Sequence, residues 1–217
     1  MAELPDDQSV ARPADITLYF APASRAFTPR WLLEELELPY NVKSIDLRRG
    51  IQKSAQFRAI NPMGKVPALR DGNVKVAENP AICIYLADRY SYGDLAPALD
   101  HPLRGDYLRW MVFSTAVFEP AIYLDLDSAE GASGRGWGDR ATVIEVLDDA
   151  LSRGGWLLGD RFSAADVMLG SLLSVALFNN RVAAPSPALV AYAKRLGERP
   201  AFKRAAAATW PASSKQQ

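Results

Sequence analysis

Residues 16 to 36 read ITLYFAPASRAFTPRWLLEEL. The run Ile16 to Phe20 is short, apolar and aromatic, and Pro22 cuts it off, the signature of a strand. Arg30 to Leu36 then carry Trp31, Leu32, Leu33 and Leu36 on an apolar arc with Glu34 and Glu35 opposite. Pro39 marks the stop, so the segment predicts a helix. Tyr40 to Leu47 offers a second strand through Val42 and Ile45. Further on, Val66 to Leu69 and Val74 to Ala77 flank Asp71-Gly72-Asn73, a good local signal for an antiparallel hairpin. ENPAICIYLADRY follows, with Asn79 as a natural N-cap, Pro80 at the first helical position, and Ala81, Tyr85 and Ile82, Leu86 recurring at helical spacing. The order βαβ, then ββα, predicts a mixed sheet covered by helices.

After Asp94 the strand signals stop. Residues 102 to 127 form a long apolar pattern through Leu103, Tyr107, Trp110, Met111, Phe113, Val117 and Phe118, with Pro120 a kink or break. A glycine-rich insert, GASGRGWGD, leads into the helical stretch ATVIEVLDDALSR. At Phe162-Ser163-Ala164-Ala165-Asp166-Val167, Ser163 reads as an N-cap, Asp166 as its capping-box partner and Phe162 as a staple onto Val167. Residues 188–196 and 200–208 add two more helices. The expected organisation is an α/β unit at 15–94 and an all-α unit at 102–210, with disordered tails at 1–14 and 211–217.

Composition removes several classes of function. The 217 residues are 49% hydrophobic and carry 25 basic and 25 acidic side chains, a net charge of zero. Neither a disordered chain nor a broad cationic surface for nucleic acid fits that balance. One cysteine cannot close an internal disulfide, and with one histidine it cannot build a Cys/His zinc site; no metal is expected. No apolar run is long enough to cross a bilayer, and the first fifteen residues are polar and acidic, so no membrane role and a cytoplasmic setting are expected.

The segments LYFAPASRAFTPRWLLEEL, NPMGKVPAL, AENPAICIYLADRY, GDRFSAADVMLG and RPAFKRA resemble, in order and separation, the cytosolic glutathione S-transferase family. The resemblance runs from Ile16 to Ala207. It implies a thioredoxin-like N-terminal domain that binds glutathione as co-substrate, a helical C-terminal domain that shapes a pocket for a small hydrophobic electrophile, and a homodimer. Glutathione's thiol, with a pKa near ~8.5, is a few per cent ionised at neutral pH. Lowering that pKa by roughly 2 units corresponds to about 2.7 kcal/mol of preferential thiolate stabilisation, within reach of one charge-assisted hydrogen bond and a helix N-terminus.

By this resemblance Ser24 is the donor to the thiolate, in the manner of serine-type members; the bland alternative is a helix N-cap. Tyr19 is the rival donor, in the manner of tyrosine-type members, with Arg25 assisting by its charge; alternatively Tyr19 packs as an ordinary strand residue. Val66-Pro67 resembles the family's cis-proline step, whose free Val66 backbone pairs with glutathione like an added strand; the alternative is a trans proline opening an edge strand. Glu78 and Asn79 open a helix suited to the γ-glutamyl group, Glu78 holding the ammonium. Most relatives carry serine where Asn79 stands. Lys53 matches a lysine for the glycyl carboxylate, or is a solvated surface group. Tyr107, Trp110, Met111 and Ser114 share a helical face that lines the second-substrate pocket or is core. Cys83 reads as a buried hydrophobe and His101 as cap-adjacent. The competing reading is a non-enzymatic relative, a binding or assembly module on the same scaffold.

Overall fold

The computed structural model describes residues 15–124, 134–153 and 155–210. Both expected tails and the start of the glycine-rich insert lie outside these residues. Four strands, β1 (Ile16–Phe20), β2 (Tyr40–Ser44), β3 (Ala68–Asp71) and β4 (Val74–Ala77), form one mixed sheet in the order β2-β1-β3-β4. β1 pairs parallel with β2 and antiparallel with β3, so it is central and every one of its residues is buried. That explains an unbroken apolar run where a one-sided strand would alternate. Ile16, Leu18 and Phe20 enter the main core, while Tyr19 turns to a smaller cluster with Ile45, Phe57 and Ala68 on the other face. β2 is an edge strand, mostly exposed, and stops at Ser44, short of the expected Leu47.

Helix α1 (Phe27–Glu35) supplies the crossover that parallel pairing requires. It starts three residues before the expected Arg30. Pro29 falls in its first turn, where a missing N–H costs nothing because that group has no intrahelical partner. A short α2 (Ala55–Arg58), capped by the Ser54 hydroxyl, leads to the hairpin, whose turn carries Gly72 at φ 56°. Helix α3 (Asn79–Tyr90) then returns across the sheet. Its N-cap is Glu78, not Asn79, and it has no side-chain capping bond.

From Arg104 onward the described residues hold only helices: α4 (Arg104–Phe113), α5 (Glu119–Tyr123), α6 (Arg140–Ser152), α7 (Ala164–Phe178), α8 (Pro187–Glu198) and α9 (Pro200–Thr209). The break expected at Pro120 takes a specific form. Ser114–Phe118 widens into a π-turn between α4 and α5, which relieves the clash a proline ring makes with the preceding turn. Helix α7 is buried on nearly every face, as a helix apolar all round must be. The capping box at its start forms as expected: Asp166 accepts from the Ser163 N–H at 2.9 Å, and Ser163 Oγ accepts from the helix's first turn.

The two halves meet along α1. A buried hydroxyl pair, Thr28 Oγ1 donating to Ser171 Oγ at 2.7 Å, joins it to α7. On its other side lies α9, which pairs with the glutamates opposite the apolar arc. Glu35 is only 7% exposed and receives Arg199 through two bonds of 2.6 and 2.7 Å; Arg204 reaches Glu34 at 2.7 Å.

Candidate active site

The turn between β1 and α1 carries Ser24. Ala23 holds a left-handed φ of 50°, and the Ser24 hydroxyl donates to the Ala21 carbonyl at 2.7 Å while accepting from the Ala26 N–H at 3.2 Å. Ser24 is half-buried and is not the helix cap, which is Ala26. It opens onto a cavity of about 930 Å³ whose wall also includes Arg25, Lys53, Lys65 and Val66.

Two further loops line this cavity. Ile51–Lys53 forms a single 3-10 turn ending on the exposed Lys53. The second loop, residues 61–66, is organised by buried Asn61, which donates to the Lys65 carbonyl at 2.8 Å and accepts from the Met63 N–H at 3.0 Å. Gly64 lets these two loops touch: its φ is 62°, and a Cβ there would sit 2.7 Å from the Gln52 carbonyl oxygen. The Val66–Pro67 peptide bond is cis. Neither the N–H nor the C=O of Val66 has a hydrogen-bond partner among the described residues, and Val66 is half-buried. Pro67 is buried behind it.

The start of α3 does not line the cavity but is tied to the Ser24 turn. Glu78 is exposed and held at φ 68°, ψ 126°, a conformation that costs a non-glycine residue on the order of 1–3 kcal/mol and recurs at ligand clamps. Asn79 Nδ2 donates to the Arg25 carbonyl at 3.1 Å, while its Oδ1 is buried without a partner. Arg25 itself is paired with Glu119 at 2.5 Å and stacked over the Tyr123 ring. Every charged residue on the cavity wall is a cation, Arg25, Lys53 or Lys65. The helical half contributes a mostly apolar wall: Val175 and Phe178 from α7, Phe202 and Ala206 from α9, and Trp210 just after it, with Ser174 and Asn179 as its polar members.

The match to known sequences is direct. The family described as "Glutathione S-transferase, N-terminal domain" covers residues 14–88, and "Glutathione S-transferase, C-terminal domain" covers 130–195. Glutathione S-transferase 3 of Zea mays is 30% identical across 90% of this chain and 95% of its own. This chain belongs to the glutathione S-transferase family. Another relative, the disulfide-bond oxidoreductase YfcG of Escherichia coli, is 26% identical across 88% of this chain and 94% of its own, so relatives of this glutathione S-transferase do not all carry one activity name. Among solved structures, a glutathione S-transferase from Actinobacillus pleuropneumoniae superposes with a TM-score of 0.74 at 28% identity, covering 89% of this chain and 92% of that one.

Within this glutathione S-transferase fold the residues singled out from sequence separate into three groups. Ser24, Arg25, Lys53 and Val66 line one cavity, with Pro67, Glu78 and Asn79 behind or beside it. Tyr19 does not join them. It packs edge-on against Phe57 at 5.8 Å in the small cluster on the far face of the sheet. Tyr107, Trp110, Met111 and Ser114 are at most 1% exposed and belong to the helical core, not to the cavity wall. Helix α4 spends its apolar face on α7 instead, and the Ser114 hydroxyl is turned back onto the Trp110 carbonyl at 2.7 Å. Sequence reading missed Asn61 and the wall from α7 and α9. The available signal was Phe178, an apolar residue at a helix end before two asparagines, which proves 90% exposed.

Cys83 is fully buried, and desolvation pushes its thiol up to about 12. His101 accepts from the Leu103 N–H at 3.1 Å, just ahead of α4 and adjacent to its cap. No three His, Cys, Asp or Glu side chains group to hold a metal ion among the described residues, and no described helix is long and apolar enough to cross a membrane.

Proposed function

We propose that the protein is a glutathione transferase that stabilises the glutathione thiolate through Ser24 and directs it at a small hydrophobic electrophile held against the α7–α9 wall. One observation carries this reading: a serine hydroxyl, an unpartnered Val66 backbone and cationic side chains bound a single cavity whose helical side is mostly apolar. Glutathione is a peptide with carboxylates at both ends, and its cysteinyl backbone would pair with Val66 as an added strand. Lys53 would take the glycyl carboxylate, and Glu78 the γ-glutamyl ammonium.

Ser24 must leave the buried Ala21 carbonyl, at a cost of about 1–3 kcal/mol, to donate to a thiolate, a charged acceptor worth about 1.5–3 kcal/mol. The two are of similar size, so the exchange is accessible. The charge of Arg25 is largely answered by Glu119, which makes it an assistant at most. The reaction is then a displacement or an addition. The thiolate pair forms the C–S bond while a leaving group departs with its own pair, or a conjugated π pair moves away and takes a proton from water. Exchange through a protein thiol is disfavoured by the depth of Cys83.

A second reading, a binding or assembly module without catalysis, draws on one observation. The Asn79 amide is already committed to Arg25, leaving an acceptor where a carboxylate ligand needs a donor. Calorimetric titration with glutathione separates the two, and absence of binding at millimolar ligand overturns the enzyme. Given binding, Ser24→Ala lowers turnover by about two orders of magnitude; unchanged turnover in that variant with abolition in Tyr19→Phe overturns the assignment of Ser24. A cytoplasmic homodimer is proposed from family membership, and sedimentation tests the second half of that statement.

A further inference from the structure

We propose that the end of helix α9, Thr209 and Trp210, is the positioning device that sets the Ser24 turn; this rests on reading Ser24 as the thiolate's donor. The last carbonyls of a helix lack intrahelical partners. Here the Thr209 carbonyl accepts from the N–H of Ala23, the residue before Ser24, at 3.3 Å. Ala23 is the residue at φ 50°, so the bond holds the turn at its least relaxed point. Thr209 is fully buried and its hydroxyl donates to the Ala205 carbonyl at 2.8 Å, which fixes the helix end that presents the acceptor.

Trp210 closes the same corner from the other side. Its ring lies 4.6 Å from that of Phe27, the first residue of α1, while its N–H donates to the Ala206 carbonyl at 2.8 Å. Farther along, Arg204 fastens α9 to α1 through Glu34. The turn carrying Ser24 is therefore gripped at Ala23 and at Phe27 by the same helix end. A hydroxyl that must meet a sulfur atom within a few tenths of an ångström depends on such support. Trp210 also lines the cavity, so its two roles need separate readouts. The charged groups around the sulfur's position, Arg25 with Glu119, Lys53 and Lys65, are untouched by changes at Trp210.

The experiment compares full-length Trp210→Ala, Trp210→Phe, Arg204→Gln and Ser24→Ala. The readouts are the thiol pKa of bound glutathione, from the ultraviolet absorbance of the thiolate against pH, and kcat and KM. Trp210→Ala is expected to raise the pKa and reduce the thiolate fraction at neutral pH roughly tenfold, with kcat falling in step and KM for glutathione changing less. Trp210→Phe restores most of it by keeping a ring on Phe27. Arg204→Gln, a surface change, shifts the pKa the same way by less, and serves alone if Trp210→Ala does not fold. A raised pKa in Ser24→Ala with none in Trp210→Ala or Arg204→Gln overturns the positioning role and leaves Ser24 standing. A rise confined to KM for the electrophile in Trp210→Ala reduces that residue to a wall and also overturns it. No pKa change in Ser24→Ala removes the reading of Ser24 and this proposal together.

Discussion

The side-chain amide of Asn79 donates to the backbone carbonyl of Arg25 at 3.1 Å, tying the first residue of α3 to the turn that carries Ser24. That bond fixes the amide's orientation, since only the nitrogen can face a carbonyl. It leaves Oδ1 buried and unanswered beside a helix N-terminus where an anionic ligand group would lie. Asn79→Ser exchanges the acceptor for a rotatable hydroxyl too short to hold Arg25. Glutathione affinity is expected to rise roughly fivefold, by one better charge-assisted bond, while stability falls by about 1 kcal/mol. Calorimetry and urea unfolding check the two halves, and weaker binding in the variant counts against this account.

Tyr19→Phe tests the geometry from the opposite direction. The phenol ring sits among Ile45, Phe57 and Ala68 on the far face of the sheet, and the ring contact survives the substitution. Turnover and thiolate pKa are expected to stay at wild-type levels, with stability changed by less than about 0.5 kcal/mol. Loss of activity in a folded Tyr19→Phe protein contradicts the placement of the donor at Ser24.

Arg199→Ala strips the charged partner from a carboxylate that is only 7% exposed and leaves the Glu35 charge between α1 and α9 with the Trp31 indole N–H at 2.8 Å. Breaking such a pair costs about 3 kcal/mol. Arg199→Lys should recover only part of that, because a point charge reproduces neither the two bonds to Glu35 nor the guanidinium plane 3.5 Å over Phe162. Equilibrium denaturation of both variants reads the difference, and full recovery with lysine speaks against the two-pronged geometry.

Asp166 gives stability a pH dependence of unusual sign for a carboxylate. Burial pushes it up to about 6 even though the N–H groups of Leu157 and Ser163, the Tyr192 hydroxyl and the Ser163 hydroxyl all favour its charged form. The folded protein therefore holds this proton more tightly than the unfolded chain. Its contribution is complete below about pH 4 and is lost as pH rises through about 6, on the order of 3 kcal/mol in all. Asp166→Asn has nothing to titrate there. The wild type should lose stability relative to that variant between these limits, although the variant is less stable throughout because its amide turns a donor on donors. Parallel pH profiles in urea unfolding defeat the prediction.

How much of this could be read from the chain depends on whether the deciding contact is local. ITLYF announced a strand, and its lack of alternation marks burial on two faces, because Ile16, Leu18 and Phe20 pack into the main core and Tyr19 into the Phe57 cluster on the other side. The capping box at Ser163 and Asp166 was legible because four consecutive residues contain the whole interaction. The cap of α3 was misread by one position, since Asn79 is a better capping residue than Glu78 in isolation and only the tether to Arg25 draws it inside the helix. Ser24, Lys53 and Val66 could be brought together only by the family likeness. For Tyr107, Trp110, Met111 and Ser114 the sequence leaves pocket and core both open, because an aromatic stripe looks the same whether it faces a ligand or another helix, and the structure places them in the core. The actual wall, from Val175 to Trp210, depends on α9 lying along α1, and nothing local in either helix records that.

The packing of α9 also sets an order of events during synthesis. Phe202, Ala206 and Trp210 emerge from the ribosome after the sheet, the Ser24 loop and the other helices have been available to fold. A nascent chain halted before Pro200 can own every strand and still lack one side of its cavity and the acceptor for Ala23. Completion of the cavity wall thus waits on residues translated after every described strand and the helices α1 to α8.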